Sequence, residues 1–389
     1  MRGHLEARGE RSWRAKVFLG AGPNGRQRYL TRTVHGTKRE AQAVLNELLV
    51  EAARGEHAVT DATVTDLVHR WFDQAKASLS PSTVRGYSGV IRSFILPRWG
   101  ATKLRKLTTA DLDAWYAELH RAGGAGGRPL SARSVVSIHA VLRRALAQGV
   151  RWGWLAVNPA VNASPPRQRK FEVVPPAPDD VVRLIKAAEK ADPELGCFLR
   201  MSAVTGARRG EVCALRWTDI DLTKGRLTIS RSIVGEGNYQ LVEKDTKTHS
   251  SRRIAIDPVT IERLKVHKAS MQDRAAVLGT GIGPGSFLFS DAPDCSAPWR
   301  PNRVTLAFIR LRKEVGISGV RLHDLRHFAA TRLLGAGIPV RTVSGRLGHA
   351  NAATTLGVYA HFLEPSDEEA AGVMADLLAG DSETDRFNA

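Results

Sequence analysis

Between Arg321 and His361 the chain reads RLHDLRHFAATRLLGAGIPVRTVSGRLGHANAATTLGVYAH, a stretch whose side chains could act together on a phosphodiester. His323 and Arg326 stand three apart, which on a helix puts them on one face. Leu347, Gly348 and His349 follow, and Tyr359 comes ten residues after that histidine. Arginine offers forked donors that match phosphate oxygens, histidine can donate or pass a proton near neutral pH, and a tyrosine hydroxyl can attack phosphorus. Taken singly, each motif is also what a solvated helix face or a packed tyrosine presents. A zinc site is disfavoured: His323 and His327 have the spacing of a zinc-protease helix, but Asp324 stands where that motif needs glutamate, and Arg326 would set its charge against the cation.

The elements that must carry these residues fill the C-terminal half. Helices are expected over DDVVRLIKAAEKA, from Asp179, and over ELGCFLRMSAVTG, which ends at Gly206. Helix resumes in ARRGEVCALRW, with Arg208 at the break and Glu211 one turn on; Glu211 can orient its neighbours, pair with a basic residue or be a plain surface carboxylate. Alternation around KGRLTISRSI, NYQLVEKD and SRRIAI predicts a three-stranded sheet whose second turn carries Lys247. Helices follow through PVTIERLKVHKASMQDRAAVLG and RPNRVTLAFIRLRKEVG, and beyond Pro365 SDEEAAGVMADLLAG reads as a short amphipathic helix.

Upstream, apolar and polar residues alternate from Ser12 to about Leu30 around a Gly-Pro-Asn-Gly turn, which reads as an antiparallel hairpin within a ribbon of two or three strands. A helix follows from Thr37, a good N-cap. The strands carry Arg14, Lys16, Arg26, Arg28 and Arg32, so the ribbon is either a reader of a DNA major groove or a solvated basic face. From Thr63 the sequence turns helical, with Ser or Thr at each start and a Gly-rich connector from Gly123 to Gly127. At two of these starts, Ser82, Thr83, Arg85, Arg133 and Ser134 are candidate DNA contacts, although capping alone explains the hydroxyls. The Pro-rich stretch from Asn158 to Pro178 is an extended linker in which Arg167, Arg169 and Lys170 could follow a phosphate backbone.

A chain of 389 residues implies two or three domains, and its 43% hydrophobic and 25% charged shares are those of a globular protein. The net charge of +18 favours a polyanionic partner, with nucleic acid the commonest. Cys197, Cys213 and Cys295 are too few and scattered for a disulfide framework or a zinc site. No apolar run of membrane-spanning length and no signal-peptide core is read, so a cytoplasmic location and no membrane partner are expected.

Arg208 in TGARRGE, Lys247, His323 and Arg326 in HDLRH, His349 in LGH and then Tyr359, in that order, resemble the tyrosine recombinase family of phage integrases. The resemblance implies a multidomain, mainly α fold with small β-sheets. An arm-type DNA-binding domain of a three-stranded sheet plus helix would span 1–57, and a SAM-like helical core-binding domain 58–163. A basic linker would span 164–178, an α+β catalytic domain 179–365 and a tail 366–389. It also implies roles. Arg208 and Arg326 clamp the scissile phosphate, Tyr359 attacks it, Lys247 protonates the leaving 5′-hydroxyl, His323 helps accept the tyrosine proton and His349 bonds the phosphate. No cofactor or metal is implied. The expected partners are double-stranded attachment sites, three further copies of the chain on synapsed DNA, with the tail docked on a neighbour, and optionally a DNA-bending or excision-directing accessory protein. A type IB topoisomerase-like enzyme and a catalytically silent DNA-binding regulator are the rival readings; the second would ask for a missing catalytic residue, and all six positions are filled.

Overall fold

Alternate residues of SWRAKVFLGA are apolar, so as a strand this segment turns Ala15 and Val17 to one face and Arg14 and Lys16 to the other. In the computed structural model, which describes residues 3–21, 27–54, 60–168, 174–235, 241–245, 251–349, 351–359 and 366–380, that segment is β2 (Ser12–Ala21). It pairs antiparallel with β1 (Gly3–Gly9) and β3 (Gln27–His35) in the order β1-β2-β3. Helix α1 (Lys38–Arg54) covers the apolar face, and Ala15, Val17, Leu45, Leu48 and Ala52 close a small core. Thr37 starts α1 as the sequence suggested: its Oγ1 accepts from the Glu40 amide, and the Glu40 carboxylate accepts from the Thr37 amide at 2.7 Å. Arg32 departs from the expected basic face. It lies opposite Ala15, and its guanidinium pairs with Glu51 of α1 at 3.3 Å. The Gly-Pro-Asn-Gly turn and Arg26 lie outside the described residues.

The chain divides into two units, Met1–Lys170 and Phe171–Ala389. The first also holds α2 (Val64–Ala75), α3 (Pro81–Val90), α4 (Leu96–Trp99), α5 (Thr109–Ala122) and α6 (Ala132–Arg151), whose core includes Leu67, Ile95, Leu112, Tyr116, Ile138 and Leu142. Hydroxyls set the helix starts. Thr63 and Thr108 form capping boxes with Asp66 and Asp111, while Ser80 and Ser131 accept from the amides of Thr83 and Ser134. Between α3 and α4 the segment Ile91–Ile95 widens to a π turn just ahead of Pro97, which has no N–H to continue the α-helical ladder.

The second unit runs α7 (Pro178–Ala191), α8 (Pro193–Thr205), α9 (Arg209–Cys213), β4 (Ile220–Asp221), β5 (Arg226–Ile229), β6 (Arg231–Gly235), β7 (Leu241–Asp245) and β8 (Arg252–Ala255). It continues through α10 (Pro258–Val277), α11 (Pro301–Glu314), α12 (Asp324–Gly335), α13 (Val340–Leu347), α14 (Ala352–Tyr359) and α15 (Ser366–Gly380). Its core gathers Phe198, Phe289, Trp299 and Phe308 with Leu227, Leu264 and Leu325. One expectation is corrected: KGRLTISRSI is not a single strand of one three-stranded sheet. It divides at Ser230 into β5, which pairs with β4 and β8, and β6, which among the described residues pairs with β7 alone. The cause is register: Arg231 faces Asp245 while Ile229 faces Arg252, so two positions one residue apart on this segment take partners that are not neighbours in sequence, and the segment has no single continuous partner strand.

Candidate active site

Gly206 ends α8 in the left-handed conformation, φ +63°, where a side chain is strained; a Cβ there would also meet Leu347 Cδ2 at 2.5 Å. The chain then reverses into α9 with Arg208 at its N-terminal boundary. Glu211, only 1% exposed, reaches back: its Oε2 accepts from the Arg208 amide at 2.9 Å and its Oε1 from Arg208 Nη1 at 2.8 Å. A second guanidinium completes the site from β8, where Arg252 Nη2 donates to Glu211 Oε2 at 2.6 Å. Burial pulls the Glu211 carboxyl up, but bonding and charge from Arg252 and then Arg208 outweigh it and hold its pKa below the usual range. Glu211 is therefore a buried carboxylate between two arginines and not a surface residue.

Arg252 also ties this centre to α13, donating from Nε to the Arg346 carbonyl at 2.9 Å. Arg208 Nη2 donates to the Gly348 carbonyl at 3.3 Å. Gly348 ends α13 at φ +69°, and a Cβ on it would lie 2.7 Å from Arg252 Nη1, so the Leu-Gly-His turn needs its glycine for conformation and for space. Arg326, on the first turn of α12 and buried, donates from Nη1 to the Gly206 carbonyl at 2.6 Å. His323 stands at the N-terminal boundary of α12, with its ring 5.2 Å from that of His327.

His349 follows the turn. Its amide donates to the Ser344 carbonyl at 3.1 Å, and its Nδ1 lies 2.8 Å from Thr355 Oγ1 on α14. Thr355 Oγ1 in turn lies 2.6 Å from Ser344 Oγ, so α14, the helix on which Tyr359 is the last residue, is bonded to the turn that carries His349.

The histidines share one electrostatic environment. Desolvation by the surrounding protein, then the charges of His327, Arg326 and Arg208, push His323 down to about 4 although the residue as a whole is exposed; Asp324 opposes them. Burial, then Arg326, Arg208 and Arg252, push half-buried His349 down to about 4 as well. Both are neutral at pH 7, able to accept or donate a proton beside two permanently charged guanidiniums.

Arg208, Glu211, His323, Arg326 and His349 are thus brought to one place, and Tyr359 is on the helix bonded to it. Lys247 lies outside the described residues; its flanks, Asp245 and Arg252, are held by strand pairing. Among the DNA-contact candidates, Arg14 and Lys16 are half-buried on β2, opposite Thr33 and Thr31. Arg28 belongs to β3. Ser82, Arg85, Arg133 and Arg167 are exposed, and Thr83 and Ser134 are half-buried in the first turns of α3 and α6. Arg169 and Lys170 lie outside the described residues.

Sequence reasoning passed over Arg252, Ser344 and Thr355. For Arg252 a signal existed: it shares the inward register of β8 with Ile254, and a charge in an apolar register position needs a buried partner. Thr355 had only its place four residues before Tyr359.

Comparison with known proteins gives a consistent answer. The phage integrase family matches residues 177–364, and the SAM-like N-terminal domain of phage integrases matches 63–120. A "Tyrosine recombinase XerC-like" protein of Caldanaerobacter subterraneus subsp. tengcongensis is 26% identical, over 95% of this chain and 97% of its own. The Tn1549 transposon integrase, solved in complex with transposon right end DNA, has a TM-score of 0.68 at 19% identity, covering 80% of this chain and 100% of its own. A lambda integrase tetramer bound to a Holliday junction has a TM-score of 0.56 at 20% identity, covering 90% and 94%. The mainly helical fold with its small antiparallel sheets is that of these integrases. With both family matches in the order the motifs require, this chain belongs to the phage integrase family and is a tyrosine recombinase, an enzyme that breaks and rejoins DNA.

Proposed function

We propose that this recombinase exchanges strands between specific sites, integrating or excising a mobile element through a 3′-phosphotyrosyl intermediate. The observation that carries this reading is the convergence of Arg208, Arg326 and two neutral histidines, with the Tyr359 helix bonded to the same turn as His349. Tyr359 Oη attacks the scissile phosphorus and passes its proton toward neutral His323. The bond from phosphorus to the 5′-oxygen breaks, and Lys247 protonates that oxygen. Arg208 and Arg326, held in place before DNA arrives, offset the charge that grows on the phosphate oxygens, and His349 donates to one of them. The covalent bond keeps the phosphodiester's free energy, so a partner strand's 5′-hydroxyl can reverse the step into a new junction without ATP.

In this reading residues 1–57 take a remote arm site, 58–163 grip the core site, the basic strap of Arg167, Arg169 and Lys170 follows the backbone, and 179–365 do the chemistry. Four copies act on synapsed duplex DNA in the cytoplasm, as the lambda integrase tetramer on its junction suggests. α15 docks on a neighbouring copy; Val373, Met374, Leu377 and Leu378 along it are exposed. Among the described residues no helix is long and apolar enough to cross a membrane.

The test is a nicked suicide substrate incubated in EDTA with wild type and Tyr359→Phe. A covalent protein–DNA adduct from wild type alone is expected. An adduct from both proteins would move the nucleophile elsewhere, and relaxation of any supercoiled plasmid without paired sites would point to topoisomerase-like activity instead.

A further inference from the structure

Thr355 is completely buried, yet its hydroxyl is 2.6 Å from Ser344 Oγ and 2.8 Å from His349 Nδ1. One hydroxyl donates a single proton, and if Thr355 accepted from both neighbours its own buried proton would be stranded, since among the described residues its hydroxyl bonds only Ser344 and His349; the chain of bonds therefore runs in one of two directions. In the first, Ser344 donates to Thr355, and Thr355 donates to a bare His349 Nδ1. In the second, His349 Nδ1–H donates to Thr355, which donates to Ser344.

Two considerations select the first. Ser344 is 5% exposed, and among the described residues its hydroxyl has no bonding partner besides Thr355, so the second direction strands a buried hydroxyl proton. A phosphate also carries acceptors alone, and a neutral imidazole can bond it only through the nitrogen that holds the proton. With Nδ1 accepting from Thr355, that nitrogen is Nε2.

We propose that Thr355 is a positioning residue for strand cleavage: its hydroxyl donates to His349 Nδ1, fixes the imidazole proton on Nε2, and registers the Tyr359 helix against the turn that presents His349. One residue thereby links the placement of the nucleophile to the protonation pattern of its phosphate-binding partner. The imidazole is neutral at working pH, which is the condition under which the tautomer matters. The proposal rests on the reading of His349 as a phosphate donor and Tyr359 as nucleophile.

The experiment uses the full chain labelled with ¹⁵N-histidine, His349 being assigned by its loss in His349→Gln. Long-range proton–nitrogen spectra at pH 7 should give Nδ1 without a proton and Nε2 with one. Thr355→Val should lose that single tautomer and form adduct on the nicked substrate about tenfold or more slowly, with DNA affinity kept within about twofold. Thr355→Ser should restore both readings. A wild-type proton on Nδ1, or a Thr355→Val protein cleaving at the wild-type rate, overturns the proposal. Should Thr355→Val fail to fold, the wild-type spectrum still decides. An adduct from Tyr359→Phe would overturn the underlying reading instead, while the tautomer still judges the Thr355 bond by itself.

Discussion

Glu211 holds two guanidiniums whose charges would otherwise face each other in a buried place. Removing one partner of such a cluster costs more than forming it gains, because the rest stay buried without compensation. Glu211→Ala should therefore lose about 3–5 kcal/mol in urea unfolding. Among molecules that remain folded it should slow adduct formation more than it weakens DNA binding, since Arg208 and the Gly348 turn lose their common anchor. Wild-type stability in that variant would show that the cluster holds nothing. The histidines give a second prediction. His323 and His349 titrate near 4 when folded against an ordinary 6.5, so between those values the unfolded chain binds more protons and stability falls as pH falls. Melting temperature should drop from pH 6.5 toward 4, and a His323→Gln/His349→Gln double variant should drop less steeply; parallel curves would contradict the placement of both rings.

At the scale of elements, the N-terminal sheet separates its arginines by face. Arg14 and Lys16 are on the side of β2 away from α1, whereas Arg32 spends its charge on Glu51. If the outward face follows DNA phosphates, Arg14→Ala/Lys16→Ala should weaken binding to a remote site and lower the slope of log affinity against log salt by about 2. Arg32→Ala should leave that slope alone. Equal slopes for all three proteins would remove the sheet from the interface. The hairpin, the capped helices and the break at Gly206 were all legible, because alternation, hydroxyl caps and a left-handed glycine act within a few residues. The division of β5 from β6 was not, because which strand each one pairs with is set by residues 241–245 and 252–255, downstream of both.

For the whole molecule, the excess of 57 Lys and Arg over 39 Asp and Glu makes association with DNA strongly salt-dependent whatever its sequence. Assembly is a separate matter, and α15 is the element on which to test it. Residues 371–378 are exposed throughout, and the proposal that another copy covers them is open to a direct test. A chain lacking 366–389 should bind a single core site with unchanged affinity, yet lose synapsis of two sites and with it most strand exchange, as read by gel mobility of the paired complex. Intact synapsis would place the tail's partner within its own chain or nowhere.

The sequence by itself determined the chemistry on offer: Arg208, Lys247, His323, Arg326, His349 and Tyr359 in a fixed order, the local elements that carry most of them, and a basic surface for a polyanion. These are properties of residue type and short spacing. Tertiary structure alone decided that Glu211 is a buried hub, that Arg252 reaches it from a strand 41 residues away, and that Thr355 joins the helix of Tyr359 to His349. Such contacts depend on packing between distant segments, and burial turns an ordinary carboxylate, guanidinium or hydroxyl into one that must be paired.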